Sequence, residues 1–169
     1  MGLKDALLAE FDYEMANTRK MLQRLPAERL AWKPHAKSMS LGRLAGHVAE
    51  LPRRTIPTLK AESLDLAPPC APPREPKVVT SSEDAVAFLD ANVARARQAL
   101  TETSDEELLK PWMLMAGGKT MRTMPRVAAF RALVMSHGIH HRGQLSIYLR
   151  ENDVPVPGMY GPSADDSGM

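Results

Sequence analysis

The sequence has little of what marks several classes of protein. A single cysteine, Cys70, excludes an internal disulfide framework and is typical of a reducing compartment. No stretch approaches the roughly 18 apolar residues of a spanning helix, and no targeting segment is recognisable at the N-terminus. The formal charge of +2 comes from 22 basic and 20 acidic residues mixed throughout, which gives no nucleic-acid footprint. The sequence therefore predicts a soluble cytoplasmic protein without nucleic-acid or membrane partners.

Aromatic residues are also scarce, at 5% of the chain, whereas methionine occurs eleven times. Because methionine is flexible and strands prefer aromatic residues, this balance favours an adaptable, helix-packed core over a β-sandwich. The chain of 169 residues is long enough for one domain with a sizeable core and too short for two comfortable ones. We expect one domain over residues 1–162 and a frayed tail over residues 163–169.

Apolar residues recur every three or four positions in four long segments, which is typical of amphipathic helices. The segments are residues 3–25, a stretch that begins near Ser40, residues 82–101 and residues 125–150. Pro52 and Pro57 should bend or shorten the second helix. The architecture predicted from these elements is an all-α four-helix bundle.

The connections between these helices carry their own signals. Five prolines between residues 68 and 76 indicate a long surface loop, in which Cys70 is expected to be inert and partly exposed. A capping signature at Ser104 predicts a short helix that Pro111 ends. Gly117 and Gly118 predict a turn or small hairpin in the middle of residues 112–124.

The last predicted helix carries an unusual pair of histidines. Thr123 is a candidate cap and Pro125 fits the first turn. At about 100° per residue, one apolar stripe then contains Phe130, Val134, His137, His141, Leu145 and Tyr148. His137 and His141 lie one turn apart on that stripe, the spacing with which two imidazoles bind one metal ion. His140 lies roughly 100° away and is interpreted as a bystander.

A third histidine, His47, lies on the inner flank of the second helix, between the apolar positions Leu44 and Leu51. Together with His137 and His141 it would supply three nitrogen ligands, which suit Zn²⁺, Ni²⁺, Cu²⁺ or Fe²⁺. Three protein ligands leave a position for water or substrate, as in a catalytic rather than a structural site. The alternative is a set of hydrogen-bonded core histidines that binds no metal.

Two further residues near these helices invite interpretation. Glu14 lies at the edge of the first helix's stripe; an exposed carboxylate is the expected reading, and a supporting acid for the metal site is the alternative. Gly138 falls beside the histidine pair, where it would let a neighbouring backbone approach or leave room beside an ion.

Four blocks of sequence resemble the DinB/YfiT-like superfamily, a group expected to be metal-dependent enzymes. They are Leu30-Ala31-Trp32-Lys33-Pro34, residues 40–47 (SLGRLAGH), residues 137–145 (HGIHHRGQL) and residues 155–162 (PVPGMYGP). The resemblance covers nearly the whole chain. It implies an up-down-down-up bundle, often dimeric, with nickel or zinc held by His47, His137 and His141. Arg142 and Gln144 match the motif, and a role in packing or in a dimer contact is expected for them.

Relatives of this kind include transferases and isomerases that use low-molecular-weight thiols. The first hypothesis is a metalloenzyme in which a divalent ion, nickel or zinc, activates water or a low-molecular-weight thiol for transfer or hydrolysis on a small-molecule substrate. The second is a non-catalytic metal-binding or ligand-sensing homodimer, and the third is a metal-free structural homodimer. No carboxylate is placed well enough to be assigned as a general acid or base, so the catalytic residues stay unassigned.

Overall fold

The structure is a computed structural model that describes residues 2–69, 72 and 75–167. It is mainly helical, with a small three-stranded sheet. The helices are α1 (Leu3–Leu22), α2 (Leu41–Glu50), α3 (Thr55–Lys60), α4 (Ser82–Thr101), α5 (Asp105–Leu109), α6 (Arg126–Phe130) and α7 (His137–Arg150). The strands are β1 (Ser63–Asp65), β2 (Pro111–Ala116) and β3 (Lys119–Pro125). Ala27–Arg29 and Leu51–Arg54 are short 3-10 helices.

The core lies where α1, α2, α4 and α7 meet. Helix α4 packs on α1 and α2, and α7 packs on the same two helices. Each contributes a row of fully buried apolar side chains, among them Phe11, Leu44, Leu89 and Leu145. Burying such rows is what stabilises amphipathic helices in water, because isolated helices of this length are marginal.

Serine side chains set three of the helix starts, as the sequence predicts. The hydroxyl of Ser40 accepts a hydrogen bond from the backbone N–H of Arg43, and those of Ser81 and Ser104 do the same at α4 and α5. At the other end of α2, Pro52 has no N–H to donate, and the chain continues as the 3-10 segment Leu51–Arg54 before α3. The predicted shortening of this helix is therefore confirmed.

The small sheet corrects the prediction of an all-α chain. Strands β2 and β3 form the predicted hairpin, in which Gly117 and Gly118 have positive φ angles of 60° and 76°. The sequence analysis missed β1, which pairs parallel to β2. Trp112 is fully buried, and its indole N–H donates to the carbonyl oxygen of Pro57 at 3.1 Å, which ties the hairpin to α3.

The predicted helix over residues 125–150 is not one regular α-helix. Thr123 lies in β3, so it does not cap the helix, and Pro125 ends that strand at the position just before α6. Between α6 and α7, the segment Arg131–Ser136 is a π-helix. Because a π turn holds an extra residue, it rotates the side chains that follow.

This rotation changes which side chains α7 buries. Its most buried residues are Gly138, Arg142, Leu145 and Leu149, whereas the prediction placed His137, His141 and Tyr148 beside Leu145 in the middle of the stripe. The three are half-buried at the edge of the buried face. His137 and His141 therefore lie at the edge of the core.

Three predictions concern the chain ends and the loop. Residues 163–166 form hydrogen bonds to the preceding segment; for example, the Ser163 hydroxyl donates to the carbonyl oxygen of Val156 at 2.5 Å. The single-domain boundary and the fraying of the tail stay predictions. Cys70 lies outside the described residues, and so does the prediction made for it. Among the described residues, no helix combines the length and apolar character needed to cross a membrane.

Candidate metal centre

Two helices bring three histidines together at the edge of the core. His47 comes from α2, and His137 and His141 come from consecutive turns of α7. Nε2 of His137 lies 3.2 Å from Nε2 of His47 and 2.9 Å from Nε2 of His141. Within the described residues, one ligand atom from each ring lies within 4.8 Å of the others, so the three could hold a metal ion. The convergence expected from the helix periodicity is therefore present.

Neighbouring side chains orient two of the rings. Nδ1 of His141 lies 2.7 Å from Oε1 of Gln144, so its N–H donates there and Nε2 keeps a lone pair directed at the cluster. Nη1 of Arg54 lies 3.2 Å from Nδ1 of His137. Because a guanidinium only donates, that Nδ1 accepts, and the proton of the His137 ring lies on Nε2 among the three rings.

The electrostatics keep the imidazoles neutral. Burial, followed by the charges of the other two histidines and of Arg43 and Arg54, lowers the pKa of His47 to about 3. Burial and the charge of Arg54 lower the pKa of His137 to about 4. Burial also lowers the pKa of His141, although its hydrogen bond to Gln144 opposes that shift. Neutral imidazole is the form that binds transition metals.

The donor set fits a divalent transition metal. Nitrogens that bind one tetrahedral zinc at 2.0–2.1 Å lie roughly 3.3 Å apart, close to the spacings around Nε2 of His137. Three neutral nitrogen donors suit Ni²⁺ and Zn²⁺. A metal at Nε2 of His137 would take the place of the proton now on that atom.

His140 and Gly138 are placed differently from the triad. The side chain of His140 is exposed, and its ring packs against that of His141 with 4.9 Å between centroids, outside the cluster, as predicted. Among the described residues, a Cβ at Gly138 would meet only Cδ1 of Leu51 within 4 Å, so no neighbouring backbone of theirs approaches there. The first alternative for Gly138, the approach of a neighbouring backbone, is therefore wrong. The second alternative, that glycine leaves room beside an ion, stays a prediction.

Glu14 is not the exposed carboxylate that the sequence predicted, since only 6% of the residue is accessible. Its carboxylate lies 2.5 Å from Nη2 of Arg142, a buried side chain of the residue that follows His141 in α7. The phenol of Tyr160 also donates to Oε2 of Glu14, at 2.8 Å. Arg142 therefore has the packing role expected of it, and Glu14 is its partner rather than a supporting acid of the metal site.

A cavity of about 910 Å³ adjoins the triad on the α2 side. His47 lines it, and so does Arg54, which contacts His137. Arg43, one turn before His47, is a third lining residue. Arg43 and Arg54 were not predicted as site residues. Helical spacing was the available signal, because Arg43 lies four residues before His47 and Arg54 lies seven residues after it, which places all three on one face.

Gln144 contacts the metal-site residue His141, whereas the sequence predicted a role in packing or in a dimer contact. We expect Gln144→Ala to weaken metal binding about tenfold, because loss of the bond to Nδ1 frees the ring's orientation and tautomer. Gln144→Glu, which keeps an acceptor oxygen, should bind metal as well as the wild type or better. Equal affinities of the alanine variant and the wild type in a chelator competition would contradict this role.

Comparisons with known proteins support the architecture. A family model described as DinB family matches residues 1–168. The chain is 29% identical over 167 residues to the uncharacterized protein YrdA of Bacillus subtilis (strain 168). The alignment covers 96% of this chain and 90% of that protein. A crystal structure of a DinB-like protein from Bacillus cereus ATCC 10987 has a TM-score of 0.69 and 26% identity, covering 92% of this chain and 97% of that one.

A second solved structure extends this likeness. The crystal structure of the DinB-like protein YjoA from Bacillus subtilis has a TM-score of 0.65 over 88% of this chain and 92% of that one. At 18% identity, the likeness shows a shared fold alone.

Proposed function

Since the chain belongs to the DinB family, we propose that it is a metal-dependent enzyme whose ion is bound by His47, His137 and His141. The observation that carries the proposal is the convergence of three neutral imidazoles from two helices beside a cavity. A divalent ion bound by three nitrogens keeps a coordination position open and, when present, ionises water or a thiol near neutral pH.

The chain's own residues would prepare the site for that chemistry. Gln144 fixes the tautomer of His141, and the adjoining cavity is large enough for a small molecule. We propose transfer of a low-molecular-weight thiol, or hydrolysis by water, on such a substrate. In the transfer, the thiol loses its proton to solvent and its sulfur forms a bond to an electrophilic carbon, from which the leaving group departs with the bonding pair.

Several finer properties belong to this proposal. We propose nickel or zinc as the metal and a homodimer as the assembly, and we expect the four long helices to follow the up-down-down-up order. A cytoplasmic location is also part of the proposal. None of these is needed for the metal site itself.

One observation favours the metal-free alternative. The hydrogen bonds from Arg54 to His137 and from His141 to Gln144 form a connected network without an ion. The proton on Nε2 of His137 lies within reach of Nε2 of both other rings. A hydrogen-bonded cluster of this kind would need no metal to be stable.

Metal analysis separates these readings. We expect protein purified without an affinity tag, incubated with zinc or nickel and then desalted, to retain about one equivalent per chain, because the three nitrogens are preorganised. Elemental analysis by mass spectrometry measures this content. Less than about a tenth of an equivalent after repletion would contradict the metal site and support the hydrogen-bonded cluster.

Turnover is the second test of the proposal. The repleted protein should catalyse transfer of at least one of several small thiols to an electrophilic substrate, and His141→Ala should abolish that turnover. His140→Ala is the matched control, since it removes the neighbouring imidazole that lies outside the cluster. Full metal content with no turnover for any thiol or for hydrolysis would favour a ligand-sensing bundle.

A further inference from the structure

The cavity beside the triad contains several arginines. Among the described residues, four line it: Arg43, Arg53, Arg54 and Arg95. The described lining residues also include three carboxylates, Glu50, Asp65 and Glu75. Which of these charges are already paired decides what the cavity can bind.

Two of the carboxylates are engaged by the protein. Asp65 accepts hydrogen bonds from the backbone N–H groups of Ala67, Gly117 and Gly118, which fixes it to the hairpin turn. Glu50 lies 3.7 Å from Arg53, one helical turn away. Arg53 and Glu50 therefore largely balance each other at the cavity wall.

Arg43 and Arg54 have no such carboxylate partner in the part of the chain that the structure describes. Nη1 of Arg43 is shielded from solvent and has no hydrogen-bond partner there. Arg54 donates through Nη1 to the neutral ring of His137. A guanidinium without a carboxylate partner is costly to bury, so a cavity that holds two of them is suited to an anion.

The same two arginines flank the histidine of α2. Arg43 lies one turn before His47, and Arg54 lies at the end of the following 3-10 segment, so all three face the cavity. An acid group bound between the guanidiniums would lie beside His47. Apolar side chains cover another part of the wall: Leu51, Ile56, Pro57 and Leu64.

Metal loading would also release Arg54. If Nε2 of His137 were a ligand, the ring's proton would lie on Nδ1, and that nitrogen could no longer accept from the N–H of Arg54. The hydrogen bond between the two residues would then be lost. Arg54 would therefore be more available to a ligand when the triad holds an ion.

We propose that Arg43 and Arg54 bind the acid group, a carboxylate or a phosphate, of a small organic substrate whose apolar part packs on Ile56, Pro57 and Leu64. This inference rests on the proposed function for the reaction, but the binding itself does not require turnover. It defines the substrate class as small anionic molecules with an apolar body.

Calorimetric titration with matched probes tests this site. The probes are 3-phenylpropionate, its uncharged amide and 2-phenylethyl phosphate, each titrated into zinc-repleted and metal-free protein. We expect at least one acid to bind at least tenfold more tightly than the amide, because two charge-assisted hydrogen bonds are lost with the charge. The tighter of the two acids identifies the anionic group, and zinc should strengthen its binding.

Matched variants locate the binding. Arg43→Gln and Arg54→Gln should each weaken acid binding at least tenfold. Arg43→Gln removes no hydrogen bond to the three histidines and should retain the zinc content of the wild type. Arg53→Gln removes the same charge one residue away, from a side chain already paired with Glu50, and should change the affinity less than about twofold. Equal losses in all three variants would show a general charge effect and overturn the proposal.

Thermal unfolding provides an independent measurement. Because Nη1 of Arg43 is buried without a partner, Arg43→Met should raise the unfolding midpoint of the ligand-free protein by about 2–4 °C while it abolishes acid binding. A lower midpoint would mean that Arg43 supports the fold, and would overturn its assignment to ligand binding. If the protein took up no zinc but still bound the acids, the result would support the acid-binding site and contradict only the proposal of a metal-dependent enzyme.

Discussion

Replacing His137 by alanine is expected to weaken metal binding at least tenfold, whereas replacing His140 should leave it unchanged. Nε2 of His137 is the central atom of the cluster, with the other two rings at 3.2 and 2.9 Å. Loss of a residue that merely orients a ligand already costs 10–100-fold, so loss of a ligand should cost at least as much. His140 is the matched control, because its exposed ring lies outside the cluster.

Competition with a chelator on untagged protein measures both affinities under one condition. The comparison holds composition constant, since each variant removes one imidazole from the same helix. Equal losses in the two variants would mean that metal is bound at the surface of α7 and not by the triad. Equal retention would mean that His47 and His141 suffice or that no specific site exists.

Most of this site followed from helical periodicity. The pair His137 and His141 shares a face at four-residue spacing, and His47 stands at the flank of a stripe that has to be buried. Hydrophobic burial brings those two helices together, so the convergence of their imidazoles is a consequence of local pattern. What they bind stays a prediction.

The position of the pair at the edge of the core could not be predicted in this way. The π turn at Arg131–Ser136 adds one residue to the helical repeat, while the apolar residues around it fit a regular helix equally well. Gly138 and Arg142 thereby replace His137 and His141 in the centre of the buried face.

Other missed features depend on contacts between distant parts of the chain. Strand β1 has three residues and forms only against β2, about 50 residues later. Glu14 looks like any surface carboxylate until Arg142, 128 residues away, is packed against it. The prediction for Glu14 was wrong because it used the usual exposure of helix carboxylates, which does not take a distant cationic partner into account.

The pair of Glu14 and Arg142 leads to the largest expected effect on stability. Arg142→Met should lower the free energy of unfolding by about 3–5 kcal/mol, because it leaves a buried carboxylate without its cation. For a chain of this length, that corresponds to a fall of about 10 °C in the unfolding midpoint. Arg142 also contacts the hydroxyl of Tyr160 and donates to the backbone carbonyl of Glu14 at 2.8 Å, so the loss includes the anchor of the C-terminal segment.

A surface ion pair between α1 and α4 is the matched control. Arg19 lies 3.1 Å from Asp90, but both side chains are nearly half exposed, at 46% and 49%. Arg19→Met should therefore cost less than about 1 kcal/mol in the same thermal or denaturant unfolding experiment. Adding Glu14→Leu to Arg142→Met should recover part of the loss, since the double variant no longer buries an unpaired charge. If Arg142→Met were no more destabilising than Arg19→Met, the buried pair would not be what holds α7 and the Tyr160 segment against α1.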